Sequence, residues 1–208
     1  MTRDRDLRLL LPVGLAYAVA AAMAIAWLDA PLARWIATFE KPTIAGVAIR
    51  YLEYAGGLEP WKWTWHVVLV GATLAVTVLP RARRFAPQVT YVALVALASR
   101  NLMLWSKGMT GRLRPGEWLQ GGGPTFFQHG IAFPSGHVVL FAGLAIPIAL
   151  AWPRAWPVLA VVPIAMAARL AVDAHFASDT LGGVALVCLC AWACGGVLRR
   201  SPPPGAAG

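Results

Sequence analysis

The chain has 208 residues, of which 59% are hydrophobic and only 13% charged, with a mean hydropathy of +0.63. Soluble globular chains carry about 25% charged residues, so too little polar surface exists here for a water-soluble globule. That excludes a cytosolic enzyme, a secreted disulfide scaffold and a disordered chain. The 18 basic and 9 acidic residues leave a net charge of +9, but the bases sit between apolar runs, where they orient a chain in a bilayer and do not call for nucleic acid.

The first apolar run, 9–28, is long enough for a helix to cross about 30 Å of hydrocarbon. Its length, and the runs behind it, argue against a cleaved leader. Between it and the next run, Leu32, Trp35, Ile36 and Phe39 recur at helical spacing, as do Ile44, Val47, Ala48, Tyr51 and Leu52. These predict one or two amphipathic helices at the membrane interface. Further apolar runs follow at 63–79, 89–106, 137–152, 156–172 and 180–198. The fold expected is an all-α integral membrane protein, a six-transmembrane helix bundle forming one domain over 1–200. The tail 201–208, SPPPGAAG, is expected to be disordered. Cys188, Cys190 and Cys194 all fall in the last run, where helix packing accounts for them better than metal binding or disulfides.

Basic residues set the expected orientation. Arg3, Arg5 and Arg8 precede the first run, Arg81, Arg83 and Arg84 join the second to the third, Arg154 joins the fourth to the fifth, and Arg199 and Arg200 end the sixth. With six spans these segments share one side, which the positive-inside rule makes the cytoplasm. Both termini are then cytoplasmic in an inner or plasma membrane, and the remaining connections face outward.

Those outer connections hold the reactive side chains. Lys107 ends the third run and Arg114 precedes Pro115, so Arg114 is biased to extended backbone. Together they can grip an anion, a guanidinium fork beside a mobile ammonium, although basic residues at a membrane edge also serve simply to meet headgroups. Pro134-Ser135-Gly136-His137 opens the fourth run. It reads as an ordinary helix cap with an interfacial histidine, or as an oxyanion site built from free N–H groups and a close-approach glycine. His175 and Asp179 are four apart and share a helical face, so a carboxylate at Nδ1 would leave Nε2 as a nucleophile. Arg169 lies near the outer end of the fifth run, either as a functional charge or in a structural Arg–Asp pair.

Taken together, these segments resemble the type 2 phosphatidic-acid phosphatase superfamily, in its membrane branch of lipid phosphate and polyprenyl diphosphate phosphatases. KGMTGRLRP at 107–115 fits the first motif of Lys, six residues, Arg-Pro; Pro134–His137 fits Pro-Ser-Gly-His; and Arg169, His175 and Asp179 fit the third. The resemblance implies a metal-free, cofactor-free phosphatase acting on a lipid phosphate monoester or diphosphate, its partners being that substrate and the membrane lipids. It implies His175 as nucleophile, Asp179 as its orienting carboxylate and His137 as general acid. Lys107, Arg114, Arg169, Ser135 and Gly136 would bind the phosphate.

One position departs from the pattern, Ala168 standing where the third motif has serine. A lipid-to-lipid phosphotransferase with the same site is the alternative enzyme; outside enzymes stand a bundle using the motif only for anion binding, and a transporter, which should show broken spans or more ionisable residues near mid-membrane than Arg100. Arg112, Glu117, His66 and His129 are expected to be solvated. Arg100 is read either as a neighbour tuning Lys107 or as a structural hydrogen-bonding group.

Overall fold

The computed structural model describes residues 2–39 and 64–199 of the chain. Its regular elements there are all helical. Helix α1 (Thr2–Met23) runs through a π-helical turn (Ala24–Leu28) into α2 (Asp29–Ile36). Then come α3 (Thr64–Val78), α4 (Ala86–Thr110), the short α5 (Pro115–Gly121) and α6 (Gly136–Ala151). A 3₁₀ stretch (Pro153–Ala160) leads into α7 (Val161–Ala171), and α8 (Ala177–Ala193) and α9 (Gly196–Arg199) complete the order.

The expected count of six spans is not what the helices give. Among the described residues, four helical stretches are long and apolar enough to cross a membrane: Asp6–Ile36, Arg83–Gly121, Pro153–Ala171 and Ala177–Arg199. Helices α3 and α6 are equally apolar but have only 15 and 16 residues. At 1.5 Å per residue they reach about 22–24 Å, short of the hydrocarbon thickness. Proline accounts for their ends. Pro80 follows α3 by two residues, and Pro153 forces Trp152, the last cap of α6, to φ −130°, ψ 92°, because a residue before proline is driven out of the helical region.

The interfacial helices are also revised. Leu32, Trp35 and Ile36 lie in α2, which continues the first long helix through the π turn, while the pattern at 44–52 and the tail at 201–208 lie outside the described residues.

Tyr91 and Val95 of α4, Val138, Val139 and Ala142 of α6, and Val187, Cys188 and Ala191 of α8 form one buried core, joined by Leu7 of α1. The three cysteines are free thiols. Large apolar side chains on the opposite faces, such as Val19, Val67, Leu74 and Ile164, are exposed. Apolar groups both inside and outside mark a bundle whose solvent is lipid.

Close packing fixes the register. A Cβ on Gly14 would fall 3.2 Å from that of Cys188, and one on Gly195 would fall 3.3 Å from Leu7 Cδ2, so α1 and α8 are antiparallel. Tyr91 donates to the Ala191 carbonyl at 3.0 Å, which pins the start of α4 to the end of α8. Two distinct ends result. One gathers the starts of α1 and α4, the turn after α6 and the end of α9, and with them Arg81, Arg83, Arg84, Arg154 and Arg199. The other gathers α2, α5, the ends of α4 and α7, and the starts of α6 and α8.

Candidate active site

Each side chain singled out by its chemistry lies at this second end. Lys107 sits in the last turn of α4, which Gly111 terminates in the left-handed region at φ 52°, a conformation that glycine adopts without penalty. Lys107 Nζ donates to the Ile131 carbonyl, and Thr110 Oγ1 reaches the Phe133 carbonyl at 3.2 Å. The chain that follows is held against the loop before α6. Leu113 N–H donates to Thr125 O at 2.8 Å, and Ala132 N–H to Arg112 O at 2.9 Å. A Cβ on Gly130 would lie 2.1 Å from that same Arg112 oxygen, so only glycine permits the approach.

Arg114 caps α5 with extended backbone, φ −77° and ψ 158°, as its proline neighbour predicts. The Glu117 carboxylate accepts from the Arg114 N–H at 2.8 Å, so Glu117, exposed as expected, also caps α5.

Ser135 caps α6, but its hydroxyl makes no cap bond. Its Oγ is buried without a hydrogen-bond partner among the described residues, and its N–H donates to the Asp179 carbonyl at 2.9 Å. The second motif is thereby tied to the third by backbone. Gly136 and His137 begin α6, and a Cβ on Gly136 would stand 3.9 Å from Lys107 Cε. Arg169, buried, closes α7, and Ala168 precedes it in the same turn. Arg169, His175, Lys107 and Arg114 all lie close enough to His137 to act on it electrostatically.

His175 leaves a tight turn in which Asp173 has φ 56°, and it is 4% exposed. Its Nδ1 stands 3.4 Å from Asp179 Oδ2, a long contact for a hydrogen bond. Asp179 is fully buried. Its Oδ2 also accepts from the Phe176 N–H at 2.8 Å, and its Oδ1 from Arg112 at 2.6 Å. Burial pushes the His175 imidazole below its ordinary range, with Lys107 and Arg169 adding to the effect and Asp179 opposing it. A neutral imidazole is the nucleophilic form.

The largest correction concerns Arg112. Expected in solvent, it is 1% exposed, and its guanidinium carbon lies 4.5 Å and 4.4 Å from the centroids of Phe126 and Phe176. Its Nη2 donates to Asp29 Oδ2 at 2.6 Å and its Nη1 to Ser178 Oγ at 2.5 Å. The sequence carried one signal for this, an acid at the end of the first apolar run, since intramembrane carboxylates need a partner. His66 is likewise half-buried in α3, within electrostatic range of Arg100 of α4. His129 is exposed as expected.

Among the described residues, no group of three or more His, Cys, Asp or Glu side chains could hold a metal ion. None of the curated proteins and none of the solved structures matches the chain. The PAP2 superfamily pattern matches residues 85–201, more than half of the 208 and the whole stretch from Lys107 to Asp179, and the chain therefore belongs to the PAP2 superfamily.

Proposed function

We propose that this multi-pass membrane protein hydrolyses a lipid phosphate monoester or diphosphate through a phosphohistidine on His175. Membership of the superfamily implies a phosphatase-type activity on a phosphate ester. The observation carrying the finer reading is the buried His175–Asp179 pair within electrostatic range of Lys107 and Arg169, with Arg114 in range of Lys107. A neutral imidazole with a carboxylate behind Nδ1 presents Nε2 as nucleophile, and three fixed cations offset the charge of the equatorial phosphoryl oxygens, the chief requirement of phosphoryl transfer. In the first step Nε2 bonds to phosphorus as the bond from phosphorus to the lipid oxygen breaks, and His137, whose protonated form burial and the neighbouring cations disfavour until a phosphate dianion offsets them, gives that oxygen its proton. Water then attacks the phosphohistidine, His137 takes its proton, and inorganic phosphate leaves. Ser135 Oγ and the first N–H groups of α6 serve the phosphoryl oxygens. These residues alone supply the charge, so no metal ion enters the scheme.

A lipid substrate is favoured by an apolar crevice of about 550 Å³ between α1, α6, α7 and α8. It runs from Asp6, Pro153 and Trp156, at the end away from the site, to Met166 and Val184, so it offers an alkyl or prenyl chain an apolar bed within the bundle but contains none of the phosphate-binding residues. The purified protein should release inorganic phosphate from members of a panel of phosphatidate, phosphatidylglycerophosphate, undecaprenyl diphosphate and lipid A phosphates. Release should persist in excess chelator and be blocked by vanadate. Phosphate appearing on a second lipid, with none free, would replace water by a lipid acceptor. Loss of activity in chelator would refute the metal-free scheme.

The same reading assigns sidedness. The end holding Arg81, Arg83, Arg84, Arg154 and Arg199 is the cytoplasmic one by the positive-inside rule, so both termini are cytoplasmic and the phosphate site faces outward. Gln120→Cys, at an exposed position of α5, in a background lacking the three native cysteines, should react with an impermeant thiol reagent on intact cells or spheroplasts. Labelling only after lysis of the inner membrane would put the chemistry in the cytoplasm.

A further inference from the structure

Two charged residues behind the nucleophile have no part in that scheme. Asp29 and Arg112 are 4% and 1% exposed. Arg112 binds Asp29 through Nη2 and Asp179 through Nη1, each at 2.6 Å. Ser178 completes the assembly: its N–H donates to Asp29 Oδ1 at 3.1 Å, its hydroxyl donates to Asp29 Oδ2, and its oxygen accepts from Arg112. Asp29 enters from the first long helix, placed there by the π turn at Ala24–Leu28. A π turn shifts the helical phase, and such turns often serve functional positions.

Burying three charges is expensive, and well-packed apolar side chains usually do as well for stability. The charge sum suggests what the trio does. Two carboxylates and one guanidinium total −1, the same as Asp179 alone. Arg112 fixes the Asp179 carboxylate in place, while Asp29 offsets the guanidinium, so that Asp179 still presents net negative charge to the imidazole. We propose that Asp29 and Arg112 are positioning residues that orient Asp179 and hold its field on His175. This rests on His175 being the nucleophile of the reaction proposed above.

The other charges about His175 come from Lys107 of α4, Arg114 before α5, His137 of α6, Arg169 of α7 and Asp173 of its own turn. All stay constant when only the trio is altered. Asp29→Asn takes the trio to 0, Arg112→Gln takes it to −2, and the double variant restores −1.

The test is a pH titration of the histidine side chains by NMR on the full chain in detergent, with ¹³C-labelled histidine and the His175 signal assigned by its loss in His175→Gln. The midpoint of His175 should fall by about one pH unit in Asp29→Asn, since one fewer negative charge stabilises the imidazolium. It should rise in Arg112→Gln and return toward wild type in the double variant. Where Arg112→Gln does not fold, Asp29→Asn against the double variant carries the same comparison. A merely structural trio would move stability but not these midpoints in opposite senses. An unchanged midpoint in folded Asp29→Asn, or a double variant that keeps the Asp29→Asn value, overturns the proposal. The titration needs no turnover, so its outcome is separate from that of the phosphate-release assay on wild type.

Discussion

His175→Ala should abolish phosphate release, with a loss of at least about 10⁴-fold in kcat, the scale seen when a covalent nucleophile is removed. The reason is the division of labour at the site. Lys107, Arg114 and Arg169 can bind a phosphate in the variant as before, but no other imidazole occupies the turn held by Asp179. Substrate binding should therefore survive while turnover does not. The wild-type enzyme, quenched in mid-reaction with a radiolabelled phosphoryl donor, should carry an acid-labile, alkali-stable phosphoryl group that His175→Ala lacks. Burial holds the imidazole neutral below its ordinary range. On a diphosphate substrate, whose leaving group needs little help from His137, the wild-type rate of phosphorylation should accordingly be retained as pH falls past about 6.5 and decline only at the lower pH where His175 gains a proton. Full turnover by His175→Ala would remove the histidine from the mechanism.

How much of this was legible in the sequence depended on whether the signal was local. Helical spacing placed the apolar runs, and the ends of α4, α6 and α8 fall within a few residues of the run boundaries because Gly111, Pro153 and the polar turns are local stop signals. Whether a run crosses a bilayer depends on where such punctuation falls. Pro80 follows the end of α3 and Pro153 ends α6 after 16 residues, although the apolar character of both is no weaker than that of the longer helices. At the candidate site, Lys107, Arg114, Ser135, His137, Arg169, His175 and Asp179 stand out in the sequence because each belongs to a short motif. Arg112 and Asp29 were not. They are 83 residues apart, and only the antiparallel packing of α1 on α8 brings Asp29 to Ser178 and the guanidinium. A pair separated so far in sequence has no periodicity to give it away. Its one trace was the cost of leaving an acid unpaired at the end of an apolar helix. The bond from the Ser135 N–H to the Asp179 carbonyl is another contact between distant segments that no local pattern announces.

His137→Ala should separate two classes of substrate. A lipid monoester leaves as an alkoxide, a strongly basic group that requires a proton as its bond to phosphorus breaks. A lipid diphosphate leaves as a lipid monophosphate, which is far less basic and needs that proton little. General-acid assistance is typically worth about 10²–10⁴ in rate. Monoester turnover should therefore fall by about that factor in His137→Ala, and diphosphate turnover by about tenfold or less. Both substrates should carry the same prenyl chain, so that partition into the membrane and packing along the crevice cancel. Phosphorylation must be the slow step for the comparison to read the acid, which a burst experiment on each substrate establishes. His137 also sits among Arg169, Lys107 and Arg114, where a hydrogen bond to a phosphoryl oxygen is its other available task. That task would serve both substrates alike, because the transferred phosphoryl group is the same in each. Equal losses on monoester and diphosphate would assign His137 to phosphate binding and leave the proton to water.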